Sequence, residues 1–374
     1  MEFSFSEDQI AIRDLARQIL GDRLTDERVK ALARDPAWYD EELWGALGAA
    51  SLLGVAIPSE HGGGGFGLDE VCLLLEEAGR HLAPLPLFPT VVLGGLPIAE
   101  FGSEEQRRNL LPGVASGATI LSAALSEPGS HDPSTPRATA RRDGASWVLD
   151  GEKTCVPAAD RAARILVPAT TGNGAVTVFL LDPQVPGVTL ARQTTTNGEP
   201  QFQVRLAGAR VEDGAVLGGV GRGAEVVGWT EARALVALAA LQLGIAEEAL
   251  RRTAAYATER KQFNQPIGSF QAVAMRAADA FIDVEAMRST LYQAVWRLGE
   301  GLPAAREVEV AKWWACRAGH RVAHAVQHLH GGIGADLEYP IHRYFLWAKQ
   351  TEYTLGGATA HLARLGSLLA KGAH

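Results

Sequence analysis

The stretch ERKQFNQPIGSFQ, Glu259 to Gln271, carries the residues best suited to hold an anionic ligand. Arg260 follows a long Ala- and Leu-rich run, Thr230 to Glu259, in which Leu243, Ala246, Leu250 and Tyr256 recur at helical spacing. A guanidinium at that helix end suits the dipole and can also grip a phosphate through two parallel hydrogen bonds. Beside it, Phe263 offers a ring that can stack on a base, while Pro266 and Gly268 break the pattern before Phe270 opens the next helix. Two helices thus meet at a cationic corner. A solvated arginine capping a helix accounts for the same residues, and this segment alone leaves both readings open.

Other strings suggest chemistry that the rest of the sequence does not support. His320, His324 and His328 are spaced by four, with His330 just beyond, so they share a helix face that can bind a metal. No HExxH pattern or acidic ligand accompanies them, and imidazoles at a helix end also serve as donors to a phosphate cofactor, so no metal is expected. The glycine run His61 to Gly67 follows no strand and lacks the Lys-Ser/Thr of a phosphate loop. The run Gly218 to Gly223 resembles a dinucleotide fingerprint, but its place suits a linker between a sheet and the next helix.

The chain must supply elements to position these residues, and its 374 residues, 47% hydrophobic, are enough for two or three structural units. Helical periodicity runs from Ser6, a plausible N-terminal cap, to about Gly117, through Ile10, Leu15 and Ile19, then Leu43 and Leu47, then Val71 to Ala78. Short alternating segments follow: Thr119 to Ala124, Trp147 to Leu149, Ile165 to Val167, Val176 to Leu181 and Phe202 to Leu206. They are separated by turn signals such as Asp150-Gly151 and Asn197-Gly198. Helical patterns return after Ala224, with Phe281 to Leu298, Ala304 to Leu329 and about Thr359 to Leu369, as in a bundle. The expected domains are a helical one over residues 1–118, a β domain over 119–222 and a helical bundle over 223–374.

A net charge of -8 argues against nucleic acid as a partner and leaves any anion to local basic groups. The three cysteines, Cys72, Cys155 and Cys316, lack paired spacing and suit a reducing compartment. With no basic and apolar leader in MEFSFSEDQI and no apolar run judged long enough to span a membrane, a cytoplasmic location is expected.

The order of domains, with four strings in sequence, resembles the acyl-CoA dehydrogenase family of flavoenzymes over essentially the whole chain. The strings are SEPGS at Ser126 to Ser130, DGEK at Asp150 to Lys153, ERKQFNQPIGSFQ, and HGGIG at His330 to Gly334. The resemblance implies an α+β multidomain fold: an N-terminal helical domain, a middle antiparallel β-sandwich-like domain and a C-terminal four-helix bundle. It implies tetramers of paired subunits, FAD as cofactor and an acyl-CoA thioester as substrate. In such enzymes each FAD draws on two chains. The groups that hold the pyrophosphate and adenine of the neighbour's FAD match Arg260, Phe263, Gln271, Gly331 and Gly332, with His328 where a second Gln is usual.

The half that holds a chain's own flavin departs from the family pattern. Ser126 keeps a hydroxyl for a flavin acceptor atom, yet the family's Trp-Ile-Thr reads Cys155-Val156-Pro157, and Pro157 has neither hydroxyl nor N–H. The family's Glu-Gly-Thr, with a Gln following, aligns with Leu355-Gly356-Gly357 and Thr359. Family members remove the α-proton of the thioester with that carboxylate, or with one on the long helix where Ala234 stands here. Glu352 and Glu231 each lie one helical turn upstream of a vacant position. Either serves as a base if burial raises its pKa; a surface carboxylate or a helix ion pair is the competing role.

The resemblance therefore implies a subunit that completes the FAD site of a related partner chain carrying the Glu, as in heteromeric members that act in bacterial steroid side-chain breakdown. A self-sufficient homotetramer with a non-standard base, or a member recruited to other flavin chemistry, are the alternatives.

Overall fold

Ser6 Oγ accepts the Gln9 N–H and Gln9 Oε1 accepts the Ser6 N–H, a reciprocal cap that starts the first helix where the sequence signal lies. The structure, a computed structural model, describes residues 4–130 and 132–372. Helices α1 (Glu7–Arg23), α2 (Asp26–Arg34), α3 (Glu41–Ala49), α4 (Leu68–Arg80), α5 (Leu96–Phe101) and α6 (Glu104–Ser116) come first. Strands β1 (Leu121–Ala123), β2 (Thr139–Asp143), β3 (Ser146–Pro157), β4 (Arg164–Thr170), β5 (Val176–Leu181), β6 (Val188–Gln193), β7 (Gln201–Glu212) and β8 (Val216–Leu217) follow. The chain ends with α7 (Gly223–Glu259), a short hairpin of β9 (Lys261–Gln262) and β10 (Gln265–Pro266), then α8 (Gln271–Gly299), α9 (Ala305–His330), α10 (Ile341–Tyr353) and α11 (Ala358–Ala370). This is the expected order of a helical domain, a sheet domain and a helical bundle.

By backbone packing there are two compact units. One combines α3, α5, α6, β1–β8 and the first turns of α7; the other combines α1, α2, α4, the rest of α7 and α8–α11. In the first, the strands form a single mixed sheet in the order β6-β7-β3-β2-β4-β5-β8, with β1 parallel to β4. Its inner face buries Trp147, Leu149, Val167, Phe179 and Val204, and the Trp147 and Phe179 rings meet 5.5 Å apart. Strand β8 passes to α7 through the Gly218 to Gly223 run, and a Cβ on Gly223 would sit 2.7 Å from the Val176 backbone. These glycines serve a tight connection, as expected.

In the second unit, α9 packs against α8, α10 and α11. Helix α7 crosses α4 at two glycines: a Cβ on Gly244 would lie 1.8 Å from the Glu76 carbonyl oxygen, and one on Gly79 would lie 2.2 Å from that of Leu241. Backbone cannot yield there as a flexible side chain would. Gly244→Ala should therefore destabilise the protein by about 1–3 kcal/mol, the usual range for overpacking, as read from the denaturant midpoint.

Helix α7 departs from one sequence expectation. It is long and apolar enough to cross a membrane by length and composition, although 67% of its most apolar window is buried inside the structure.

Candidate functional site

The cationic corner is built by a strained two-residue turn. Phe263 and Asn264 have φ of 52° and 64°, both left-handed, which turns β9 back onto β10. The Ile267 N–H donates to the Arg260 carbonyl at 2.8 Å and closes the corner. The turn lifts the Phe263 ring clear of the fold, leaving it 88% exposed and in edge contact with Phe270 at 6.2 Å. Arg260 is exposed, and its guanidinium makes no hydrogen bond or ion pair among the described residues. Gln271 is the exposed first residue of α8, whose N-terminus has no side-chain cap; the Val273 and Ala274 N–H groups turn back to the Phe270 carbonyl at 3.0 Å.

An aromatic stack joins this corner to the HGGIG string. Tyr256, one turn before Arg260, lies face to face with His330 at 4.5 Å and 21°, and Tyr339 closes on His330 at 5.4 Å. His330 is the last residue of α9. Its Nδ1 donates to the Val326 carbonyl at 2.9 Å, and burial lowers its pKa. Gly331 then takes φ 64° and ψ -142°, a conformation that only glycine adopts readily. Gly331 and Gly332 are exposed, with nothing within 4 Å of an added Cβ. His328 is exposed, while the neighbouring Gln327 turns its amide back to donate to the Gly334 carbonyl at 3.0 Å. Sequence spacing places Tyr256 in a helical pattern and His330 in a row of imidazoles; a tyrosine one turn before the arginine is the one local hint of their stacking.

The histidine row does not act as one group. His330 turns into the tyrosine stack, whereas His320 and His324 pack ring against ring at 4.5 Å. Among the described residues, no three His, Cys, Asp or Glu side chains are grouped to hold a metal ion.

In the sheet unit, a buried ion pair fastens two of the four strings together. Lys153 of DGEK donates to Glu127 of SEPGS at 2.6 Å, with side-chain exposures of 1% and 4%. The Arg137 and Ala138 N–H groups complete the Glu127 carboxylate at 2.6 and 3.0 Å. Burial alone would raise this carboxyl's pKa, but Lys153 and the two amides hold it below the ordinary carboxylate range. The Thr154 N–H donates to the Ser126 carbonyl at 3.0 Å, so the pair sets half-buried Ser126 beside the end of β3. There Cys155 is exposed at φ 53°, within a register shift between Lys153 and Val156. Val156 and Pro157 are buried, and the Pro157 carbonyl accepts the Ser122 hydroxyl.

The two vacant carboxylate positions hold apolar groups. Ala234 is fully buried in α7. Leu355 sits half-buried at φ 57° in the turn after α10, followed by Gly356 at φ 106°. A row on α9 fixes that turn: Lys312 donates to the Thr351 carbonyl at 2.8 Å, Cys316 donates to that of Glu352 at 3.1 Å, and Glu309 binds buried His361 at 2.7 Å. Burial lowers the pKa of Lys312. The Glu352 carboxylate accepts from Lys349 at 2.8 Å and lies 3.3 Å from His320, with a side chain only 8% exposed. Glu231 is half-buried on α7, and Thr359 is exposed near the start of α11. The structure thus brings the carbonyl of Glu352 to Cys316 and its carboxylate to a lysine.

Profiles of the acyl-CoA dehydrogenase N-terminal, middle and C-terminal domains match residues 6–118, 122–206 and 221–366. The chain belongs to the acyl-CoA dehydrogenase family, whose members bind FAD. Acyl-CoA dehydrogenase FadE27 of Mycobacterium tuberculosis is 39% identical to it over 99% of both chains. Among solved structures, the Tcur3481-Tcur3483 steroid ACAD G363A variant is 47% identical, with a TM-score of 0.92 over 98% of this chain and 99% of that one. The ChsE4-ChsE5 complex from Mycobacterium tuberculosis is 40% identical, with a TM-score of 0.93 over 99% of both. The corner's residues fit FAD: an unpaired guanidinium for the pyrophosphate, a bare ring for adenine and two uncovered glycines where backbone must approach closely.

Proposed function

We propose that this chain is one subunit of a heteromeric acyl-CoA dehydrogenase, and that it completes the FAD site of a related partner chain that supplies the catalytic carboxylate. One observation carries the reading: the two halves of the family's cofactor site differ in state. Arg260, Phe263, Gln271, Gly331 and Gly332 are all exposed, and the Arg260 guanidinium makes no hydrogen bond or ion pair among the described residues. At the other half, Pro157 has no N–H to offer, and Leu355 and Ala234 cannot take a proton. Loss of function without selection would erode both halves alike.

In this reading the guanidinium of Arg260 neutralises pyrophosphate charge, Phe263 stacks on the adenine, and the Gly331–Gly332 backbone lets the ligand approach. When bound, FAD would supply the acceptor for the substrate's β-hydrogen as hydride, and a carboxylate of the partner chain would take the α-proton. Exposed apolar side chains on α8, Met275 at 60%, Phe281 at 58% and Ile282 at 63%, supply a surface of the kind a partner covers. The ChsE4-ChsE5 complex pairs two chains and the Tcur3481-Tcur3483 protein is a steroid ACAD, which supports a pair of chains and a steroid-linked acyl-CoA as substrate. We extend both to this chain, together with a cytoplasmic location.

Substrate class is read by offering the complex a steroid side-chain acyl-CoA and butyryl-CoA under anaerobic conditions. Faster bleaching with the steroid thioester is expected; equal or faster bleaching with butyryl-CoA overturns that part of the proposal. The same assay examines Glu352. Because Lys349 already holds its carboxylate at 2.8 Å, Glu352→Gln in the complex should leave the bleaching rate within about twofold of wild type. Abolished bleaching with FAD retained would instead make Glu352 the base and favour a self-sufficient enzyme.

A further inference from the structure

With Arg252 one turn before Tyr256 and Pro340 next to Tyr339 in its wall, the helical unit encloses a cavity of about 280 Å³ whose wall carries more positive than negative charge. Five guanidiniums line it, from Arg17, Arg80, Arg251, Arg252 and Arg343, against the carboxylates of Asp26 and Glu248. The guanidiniums arrive from α1, the end of α4, α7 and α10, and Asp26 from α2, so the cavity lies where five helices converge.

The carboxylates available are shared. Glu77, behind the wall, binds both Arg17 at 2.7 Å and Arg80 at 3.2 Å, and Arg80 also meets Glu247 at 2.5 Å and Glu76 at 3.4 Å, so its charge is compensated. Glu248 binds Arg251 at 2.7 Å and Arg252 at 2.8 Å, and Arg252 also reaches Asp26 at 2.8 Å. Arg343 is left over. It is 6% exposed, forms no ion pair among the described residues, and holds only the carbonyls of Asp26 and Leu337, each at 3.4 Å. Burial lowers its pKa below the ordinary guanidinium value. A buried cation held by two long hydrogen bonds to carbonyls is destabilising unless an anion accompanies it.

His81 donates its Nδ1–H to the Glu77 carbonyl at 2.9 Å and burial lowers its pKa, so its Nε2 faces the wall as an acceptor and adds no donor for an anion. Arg251 is 64% exposed at the side chain and marks a route from solvent. The space exceeds what a single phosphate needs and is at the lower limit for a small-molecule pocket.

We propose that this cavity is an anion site, separate from the FAD corner, that takes a small phosphorylated anion of diphosphate size, with Arg343 as its central ligand. Binding would tie α10 to α1, α2 and α7 through one shared charge. The site does not depend on the heteromer reading, because every wall residue belongs to this chain.

The test is calorimetry on the FAD-loaded protein with inorganic pyrophosphate, against sodium chloride at matched ionic strength. Pyrophosphate should bind and raise the thermal midpoint by roughly 2–4 °C near saturation. Arg343→Gln should weaken binding at least tenfold, and Arg251→Gln, at an exposed position that keeps the fold, should weaken it severalfold. No binding beyond the chloride control, or undiminished binding in both Arg343→Gln and Arg251→Gln, overturns the proposal. Should Arg343→Gln fail to fold, Arg251→Gln decides. ADP is run in parallel: tighter binding than pyrophosphate identifies a nucleotide as the ligand, weaker binding a free anion.

Discussion

Lys153→Met should destabilise the sheet unit by about 3–5 kcal/mol, the scale of stranding one partner of a buried ion pair. Lys153 is 1% exposed and its ammonium meets Glu127 at 2.6 Å, so the variant leaves a buried carboxylate with only the Arg137 and Ala138 amides. The double variant Lys153→Met with Glu127→Gln should recover more than half of that loss, since two neutral groups need not be desolvated as ions. The pH dependence follows from Glu127. Its folded pKa is depressed, so its contribution is present above the unfolded carboxyl pKa of about 4.3 and is lost as pH falls through the folded value. Wild type should lose stability below about pH 4 more steeply than the double variant. Denaturant unfolding at pH 7 and pH 3.5 measures both effects, and a single variant within about 0.5 kcal/mol of wild type at pH 7 removes the pair from its structural role.

Arg260→Ala should weaken flavin retention by about 1.5–3 kcal/mol, or roughly 10- to 150-fold, the scale of a charge-assisted hydrogen bond. The side chain has no hydrogen-bond or ion-pair partner to lose among the described residues, so stability should change by less than about 0.5 kcal/mol. That split between cofactor affinity and fold distinguishes a ligand-binding role from a helix cap. Arg260→Lys should recover little, because an ammonium lacks the planar fork that matches a phosphate. Fluorescence titration of the apoprotein with FAD reads the effect, and unchanged affinity in Arg260→Ala contradicts the assignment.

The fold class was legible because its large elements carry strong periodicity. Helices α7, α8 and α9 coincide with apolar patterns, and β5 spans the same residues, Val176 to Leu181, as its sequence signal. Strands β2 and β6, by contrast, went unmarked. TARRD and VTLARQ alternate weakly and are largely exposed, and they are strands because β3, β4 and β7 offer them backbone partners. Helix α10 was also unmarked. Its buried residues include Arg343, Thr351 and Glu352, whose side chains find ionic or backbone partners that no hydrophobic pattern records.

The candidate site was legible in part, and for a similar reason. Phe263 and Arg260 stand in a string whose Asn264, Pro266 and Gly268 announce a turn, and a turn exposes its side chains. The stack of Tyr256 on His330 and the pairing of Glu127 with Lys153 join residues 74 and 26 positions apart. Contacts at that separation are set by tertiary packing, which local spacing does not encode.

The most direct measurement of the central claim is flavin stoichiometry after expression of this chain alone and with a related dehydrogenase chain that carries the carboxylate. Alone, the chain should be colourless or poorly soluble. With its partner it should yield a yellow complex of two copies of each chain, carrying about one FAD per pair, because one complete site forms per pair. A homotetramer purified from this chain alone, holding one FAD per subunit and oxidising an acyl-CoA, would contradict the account.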